Sequence, residues 1–148
     1  TDRVEKRYTV ATSYALNGYL RDPDLIGATN LPPILLNELK KSSQDLVNKM
    51  DKLQQTHSTI VLFEGIASKL SLHYDHVHYY SWFSANNLAL KGPPNNAVFK
   101  AVQNEVAIER HAGGTANYLY VDGHVDSISA EQSATWCSEG YNFAIPFK

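Results

Sequence analysis

The segment with the most groups suited to metal chemistry is HYDHVH, at residues 73–78. On a strand, His76 and His78 would project to the same face, because successive side chains alternate. Their two ring nitrogens could then bind one transition metal ion. Zinc needs a third and usually a fourth ligand, each oriented by a hydrogen bond from behind. The sequence supplies no such set, so we expect no tightly bound transition metal. His76 and His78 are the candidate ligands for any metal that does bind.

Nucleophilic catalysis has no local motif in this chain. Ser, His and Asp are present, but the sequence contains no Gly-x-Ser-x-Gly, no Gly-rich phosphate loop and no His-Glu-x-x-His. The single cysteine, Cys137, stands beside Trp136 in a predicted helix, which is typical of a packed thiol. We therefore predict that the protein is not an enzyme. A metal-dependent hydrolase using the histidine cluster is the weaker alternative.

Aromatic residues concentrate between positions 74 and 83. Rings with polar neighbours suit the binding of a sugar or a peptide, provided that they line a concave pocket instead of packing inward. A secreted binding domain is therefore the rival function. The candidate ligand-binding residues are Tyr74, Tyr79, Tyr80 and Trp82.

A β-hairpin is predicted within RHAGGTANYLYVDGHVDSIS, at residues 110–129. Residues 117–121 form one strand, Asp122-Gly123 the reversal, and residues 124–128 the partner strand, because Gly123 accepts positive φ without steric cost. A two-residue loop would place Val121 opposite His124, and a three-residue loop would place Leu119 opposite Val125. We favour the second register, because it pairs apolar residues on the side we expect to be buried. It places four residues together on the other side: Tyr118, Tyr120, His124 and Asp126.

Three stretches resemble the prepilin-type H-X9-DG proteins, which are pseudopilin-like envelope proteins related to the major pseudopilin of type II secretion. His111, Asp122 and Gly123 match the named positions, although ten residues and not nine separate His111 from Asp122. SYALNGYL, at residues 13–20, is similar to the family's SYxxNGYL segment. WCSEGYNFAIP, at residues 136–146, is similar to its C-terminal close. The resemblance covers both ends and the hairpin but not the middle.

The resemblance implies a structural subunit of a filament or secretion-type assembly in the bacterial cell envelope, periplasmic or extracellular. Its partners would be other protein subunits, through self-association or envelope assembly. The chain opens on TDRVE and contains no apolar stretch of about twenty residues. We expect that the family's N-terminal prepilin helix has been removed, or that this is a soluble relative. Membrane attachment would occur only through that anchor helix.

The resemblance also implies a possible cation, since major pseudopilins of type II secretion bind calcium in C-terminal loops. Calcium takes six to eight oxygen ligands. The hairpin offers Asp122 and Asp126, and His111 is a poor calcium ligand. We favour a structural interpretation, in which Asp122-Gly123 forms the turn and His111 hydrogen-bonds the backbone of the preceding loop.

Periodicity and turn residues predict the elements that position these groups. The strands are expected at residues 8–16, 59–64 (buried and central), 106–109 and in the hairpin. A helix should run from Ser42 or Ser43 to about residue 55, another over 97–104, and a third from Ser129 to near Gly140, opened by a capping box with Gln132. Residues 21–33 and 92–96 are loops. Residues 34–39 are a helical turn or a strand.

The predicted fold is a single α+β domain over residues 1–148, with an antiparallel sheet and a few packed helices, similar to a pseudopilin globular head.

Composition limits the other function classes. The chain has 148 residues, 43% hydrophobic and 19% charged, which is typical of one globular domain. Its formal net charge of −2 gives no reason to expect nucleic acid or an acidic lipid surface as a partner. One cysteine excludes an internal disulfide.

Overall fold

The computed structural model describes residues 13–20, 32–70 and 76–148. Within these ranges, four strands form one antiparallel sheet in the order β1-β2-β3-β4. The predicted α+β class with an antiparallel sheet is confirmed. The elements in chain order are β1 (Tyr14–Leu16), α1 (Pro33–Ser42), β2 (Ile60–Glu64), α2 (Ala67–Leu70), α3 (Tyr79–Trp82), α4 (Ala85–Ala89), α5 (Ala97–Gln103), β3 (Thr115–Tyr120), β4 (Val125–Ser129) and α6 (Ala130–Glu139).

Strand β2 is central, as its short apolar sequence predicts. It lies between β1 and β3, and its pairing with β3 shifts register between Ile60 and Leu62. A bulge of this kind inserts an extra residue, so that Ile60 and Phe63, three positions apart, are both buried against the helices.

The core lies between one face of the sheet and helices α3, α5 and α6. Phe63 is at its centre, with ring centroids 5.7 Å from Trp82, 6.0 Å from Tyr118 and 6.3 Å from Phe143, all in edge-on geometry. Aromatic pairs prefer this arrangement because the positive ring edge meets the negative ring face. The buried members contributed by the helices and the tail include Tyr79, Trp82, Val98, Val102, Cys137, Phe143 and Ala144.

The helix predicted between residue 42 or 43 and residue 55 is wrong. The helix is instead α1, which Pro33 opens at a position where the missing N–H costs nothing, and Ser43 is its C-terminal cap. The following segment contains only 3₁₀ turns at Ser43–Asp45, Met50–Lys52 and Thr56–Ser58. The backbone of this segment forms hydrogen bonds with other segments, and the N–H of Val47 donates to the Tyr19 carbonyl. These tertiary hydrogen bonds take the place of the hydrogen bonds within a helix.

The strand predicted at residues 106–109 is also wrong. Val106 makes one isolated bridge to Gly65, and the chain then turns, with the N–H of Arg110 donating to the Ala107 carbonyl. The other two predicted helices are confirmed as α5 and α6. The Ser129 hydroxyl accepts from the N–H of Gln132 at 3.0 Å, and Gly140 ends α6 at φ 80°.

The predicted hairpin and its three-residue loop are confirmed. Leu119 pairs with Val125, the N–H of Gly123 donates to the Tyr120 carbonyl, and Gly123 has φ 93°. The two faces, however, are the reverse of those expected. Ala116, Tyr118 and Ile128 point into the core, whereas Val125 is exposed. The Tyr118 ring packs edge-on against Phe63 on the side that the helices cover, so the face that carries this ring is the buried one.

Two further expectations lie partly or wholly outside the described residues. Of the strand predicted at residues 8–16, the structure describes Tyr14–Leu16 as β1. The loop predicted at residues 21–33 lies almost wholly outside them. Within the described ranges, none of the helices has the length and apolar character that crossing a membrane requires.

Candidate functional site

The face of the sheet opposite the core carries one apolar side chain from each strand. Leu16 pairs with Leu62, Leu62 with Leu119, and Leu119 with Val125. Directly paired residues point to the same side of a sheet. On the first three strands, the chain neighbours Ala15, Phe63 and Tyr118 are buried in the core. We call Leu16, Leu62, Leu119 and Val125 the apolar row.

The apolar row is accessible at both edges of the sheet. Leu16 on β1 is 37% exposed and Val125 on β4 is 61% exposed. A groove of about 290 Å³ adjoins the row and extends its apolar surface. The groove is lined by Leu16, Leu20, Val47, Asn48, Lys49, Met50, Leu53, Val61 and Val121. Leu16 is the residue that the row and the groove share, and exposed apolar side chains grouped in this way are typical of a protein interaction site.

A buried carboxylate, Glu64, lies at the end of β2. Its side chain is 3% exposed and accepts a hydrogen bond from the N–H of Asn117 at 2.7 Å. His111 Nε2 lies 2.9 Å from Oε2, and Arg110 Nε lies 3.8 Å from Oε1. One backbone N–H of β3, the His111 ring and the Arg110 guanidinium thus surround this carboxylate, whose burial would otherwise be costly.

His111 was expected to hydrogen-bond the backbone of its loop. Its N–H does donate to the Thr115 carbonyl at 2.9 Å, but its ring bonds to Glu64. The same ring nitrogen, Nε2, also lies 3.0 Å from the side-chain amide nitrogen of Asn117. Sequence reasoning missed Glu64, which lies 47 positions away. One feature of the sequence could have identified it. Glu64 is the single carboxylate in the apolar segment TIVLFE, and a charge at the end of a buried strand needs hydrogen-bonding partners.

Asp122 and Asp126 use their oxygens locally. Asp122 Oδ1 accepts from the N–H of His124 at 3.1 Å and contacts its Nδ1 at 2.6 Å. The backbone hydrogen bond, followed by the ring, lowers the pKa of Asp122. Asp126 Oδ1 accepts from the N–H of Ser127 at 2.8 Å. The hairpin places His111 before β3 and Asp122 after it, so these residues are not brought together.

The histidine pair lies outside the four strands of the sheet. His76 forms one isolated parallel bridge with Leu16, and the His76 and His78 ring centroids are 5.2 Å apart. Glu105 holds His78 through Nδ1 at 3.1 Å and through its backbone N–H at 2.6 Å. His73 and Asp75 lie outside the described residues. Among the residues that are described, no group of three or more His, Cys, Asp or Glu side chains is arranged to hold a metal ion.

The aromatic segment divides between core and surface. Tyr79 and Trp82 are buried and pack inward, whereas Tyr80 and Phe83 are half-buried. The latter two line a pocket of about 330 Å³. Tyr74 lies outside the described residues. Two of the predicted ligand-binding residues, Tyr80 and the largely buried Tyr79, therefore border a cavity, and Trp82 belongs to the core.

The first and last of the three resembling segments are hydrogen-bonded to each other. The buried amide of Asn17 donates to the carbonyls of Ile60 and Ala144, each at 2.8 Å, and its oxygen accepts from the N–H of Tyr19. Asn142 donates to the Tyr19 hydroxyl at 2.9 Å. Asn17 and Tyr19 thus join β2 to the C-terminal tail, which accounts for polar residues inside the core.

Cys137 is packed, as its sequence context predicts. The thiol is buried on α6, and burial raises its pKa to about 12. A thiol of this pKa is almost entirely protonated at neutral pH and is a poor nucleophile.

Comparison with known proteins gives no match: none of the protein-family models, curated proteins or solved structures matches the chain.

Proposed function

We propose that this chain is a structural subunit that acts by protein–protein contact through the apolar row and its adjoining groove. The observation that carries the proposal is the apolar row itself, in which four aliphatic side chains cross the sheet on the side away from the core. Burying apolar surface contributes roughly 25 cal/mol per Å². An exposed Val125 on an edge strand and an exposed Leu16 on the opposite edge are therefore stabilised when another protein surface covers them.

The partner that we propose is a second copy of this chain. The row contains only aliphatic side chains, so it can pack against an identical row without burying an unpaired charge. The formal net charge of −2 per chain makes electrostatic repulsion between copies small. The contact would be the apolar row of one copy against the apolar row of the other.

The broader setting follows from the family resemblance and is part of the same proposal. The SYALNGYL and WCSEGYNFAIP segments meet in the core through Asn17 and Ala144, so the matched residues belong to one structural unit. A pseudopilin-like head would serve in an assembly of the bacterial cell envelope, with contact and not catalysis as its role.

Sedimentation velocity over a range of protein concentrations tests the proposal. We expect the weight-average sedimentation coefficient to rise with concentration, and the rise to be insensitive to salt, because an apolar contact is not screened. A sedimentation coefficient that stays at the monomer value at every concentration would exclude self-association. A rise that disappears in high salt would assign the contact to charges elsewhere on the surface.

A further inference from the structure

A second surface feature, independent of the apolar row, is the pocket of about 330 Å³ beside the aromatic segment. It lies where α1 and the turn that follows it approach α3, α4 and the tail after α6. Its volume is near the lower end of the range for small-molecule sites. The lining residues are Tyr19, Glu38, Lys41, Gln44, Asp45, Tyr79, Tyr80, Phe83, Leu88, Gly140, Asn142 and Ile145.

One side of this pocket is formed by rings and aliphatic side chains. Tyr80 and Phe83 come from the aromatic segment, and Leu88 and Ile145 adjoin them; all four are half-buried. Tyr79, which also lines the pocket, packs against Tyr19 with ring centroids 3.7 Å apart and ring planes inclined by 31°. A half-buried ring beside such packed rings suits a ligand that presents a flat C–H surface.

The other side is polar but close to electrically neutral. Glu38 is paired with Lys41 at 3.3 Å, and Asp45 is paired with Lys148 at 3.6 Å. Because each carboxylate has a lysine partner, neither a cation nor an anion finds an uncompensated charge there. The same wall offers acceptors in the two carboxylates and donors in Lys41 and the Gln44 amide. Ligand groups that both donate and accept hydrogen bonds match such a wall, and hydroxyl groups do both.

We propose that this pocket binds a neutral saccharide ring, with one face of the sugar on Tyr80 and Phe83 and its hydroxyls on the wall formed by Glu38 and Asp45. A sugar ring combines the two properties that the pocket selects for, an apolar C–H face and a rim of hydroxyls. The volume accommodates one ring. The site lies on the helical side of the molecule, so binding is independent of the contact proposed for the apolar row.

Isothermal titration calorimetry with a panel of neutral probes tests this inference: glucose, galactose, mannose and N-acetylglucosamine, each titrated into the full chain. We expect at least one of them to bind saturably. Glu38→Gln and Asp45→Asn should each weaken that binding about tenfold, because hydrogen bonds to a charged acceptor are the stronger ones. Thermal unfolding checks that both variants remain folded, which we expect because each replaces a carboxylate with an amide of the same shape at a partly exposed position.

Glu131→Gln is the matched control, because Glu131 is an exposed carboxylate on α6 and does not line the pocket. It should bind the sugar as the wild type does. The inference is overturned if no probe in the panel binds saturably, or if Glu38→Gln and Asp45→Asn bind as tightly as Glu131→Gln. It is equally overturned if arginine methyl ester or a basic peptide binds the pocket and the sugars do not.

Discussion

Gly18 lies against Tyr79 so closely that no side chain fits between them. A Cβ at position 18 would be 2.5 Å from the carbonyl oxygen of Val77 and 2.6 Å from the Tyr79 ring. Real Cβ atoms do not approach other heavy atoms to these distances. The glycine in SYALNGYL therefore permits a close approach of backbone to ring, and the adjacent Asn17 then reaches two carbonyls in the core.

Gly18→Ala should lower the free energy of unfolding by about 1–3 kcal/mol, the usual cost of overpacking a filled interior. A backbone oxygen is one of the atoms in the way, so the clash is not relieved by a side-chain rotation. Urea unfolding followed by tryptophan fluorescence measures the loss. Gly92→Ala is the matched control, because a Cβ there meets nothing within 4 Å. Equal unfolding midpoints for the two variants would contradict the packing at Gly18.

Glu64→Gln should lower the free energy of unfolding by about 1–3 kcal/mol, because the amide keeps one acceptor and turns a donor toward donors from the hairpin. In the wild type, Oε2 of Glu64 lies 2.7 Å from the backbone nitrogen of Asn117 and 2.9 Å from Nε2 of His111. Thermal or urea unfolding at neutral pH measures the change. Glu131→Gln, on the exposed face of α6, should stay within about 0.5 kcal/mol of the wild type. If both variants unfold alike, the Glu64 cluster contributes nothing to stability and its role must lie elsewhere.

Gly123→Val should destabilise the fold by more than about 1 kcal/mol, because Gly123 has φ 93°, where a β-branched residue is strained. Open space surrounds the position, so the cost is conformational and not steric crowding by neighbours. Asp122→Ala should cost less, since its oxygen bonds only within the turn. Denaturant unfolding of both variants ranks them. The reverse ranking, with Gly123→Val stable and Asp122→Ala unfolded, would give Asp122 a role that the turn does not explain.

The pH dependence of the turn follows from the lowered pKa of Asp122. The folded carboxylate holds a proton less tightly than the unfolded one, because the N–H and then the ring of His124 favour the charged form. Its contribution to stability is therefore present above the ordinary aspartate pKa and is lost as the pH falls through the lowered value. NMR titration of the Asp122 carboxyl carbon measures this directly. In His124→Ala the pKa of Asp122 should rise only part of the way toward the ordinary aspartate value, since the backbone N–H of residue 124 still donates. An Asp122 pKa at the ordinary value in the wild type would contradict these hydrogen bonds.

The sequence predicted best where local chemistry decides the structure. Asp122-Gly123 needs positive φ, Ser129 caps a helix that Gly140 ends, and the TIVLFE run is too short and too apolar to be anything but an inner strand. These residues act through neighbours a few positions away, and the hairpin, α6 and β2 were all predicted from them.

The sequence predicted poorly where distant segments decide. Residues 42–55 have helical periodicity, yet Val47 bonds to Tyr19 and Gln54 to Phe147, and those partners are far along the chain. The hairpin faces were reversed for a similar reason, because the side that is buried depends on where α5 and α6 pack. The Glu64 cluster and the apolar row arise from strand register across the whole sheet, which no local pattern contains.

The apolar row carries the central claim, and replacing Val125 with lysine tests it most directly. Val125 is exposed on the edge strand, so Val125→Lys should leave the fold intact while placing a charge in the proposed contact. Ile34→Lys is the matched control, at an exposed apolar position on α1 outside the row. Sedimentation velocity over a common concentration series compares wild type and both variants. We predict that wild type and Ile34→Lys associate alike and that Val125→Lys associates at least about tenfold more weakly; association of Val125→Lys equal to that of the wild type would contradict the account.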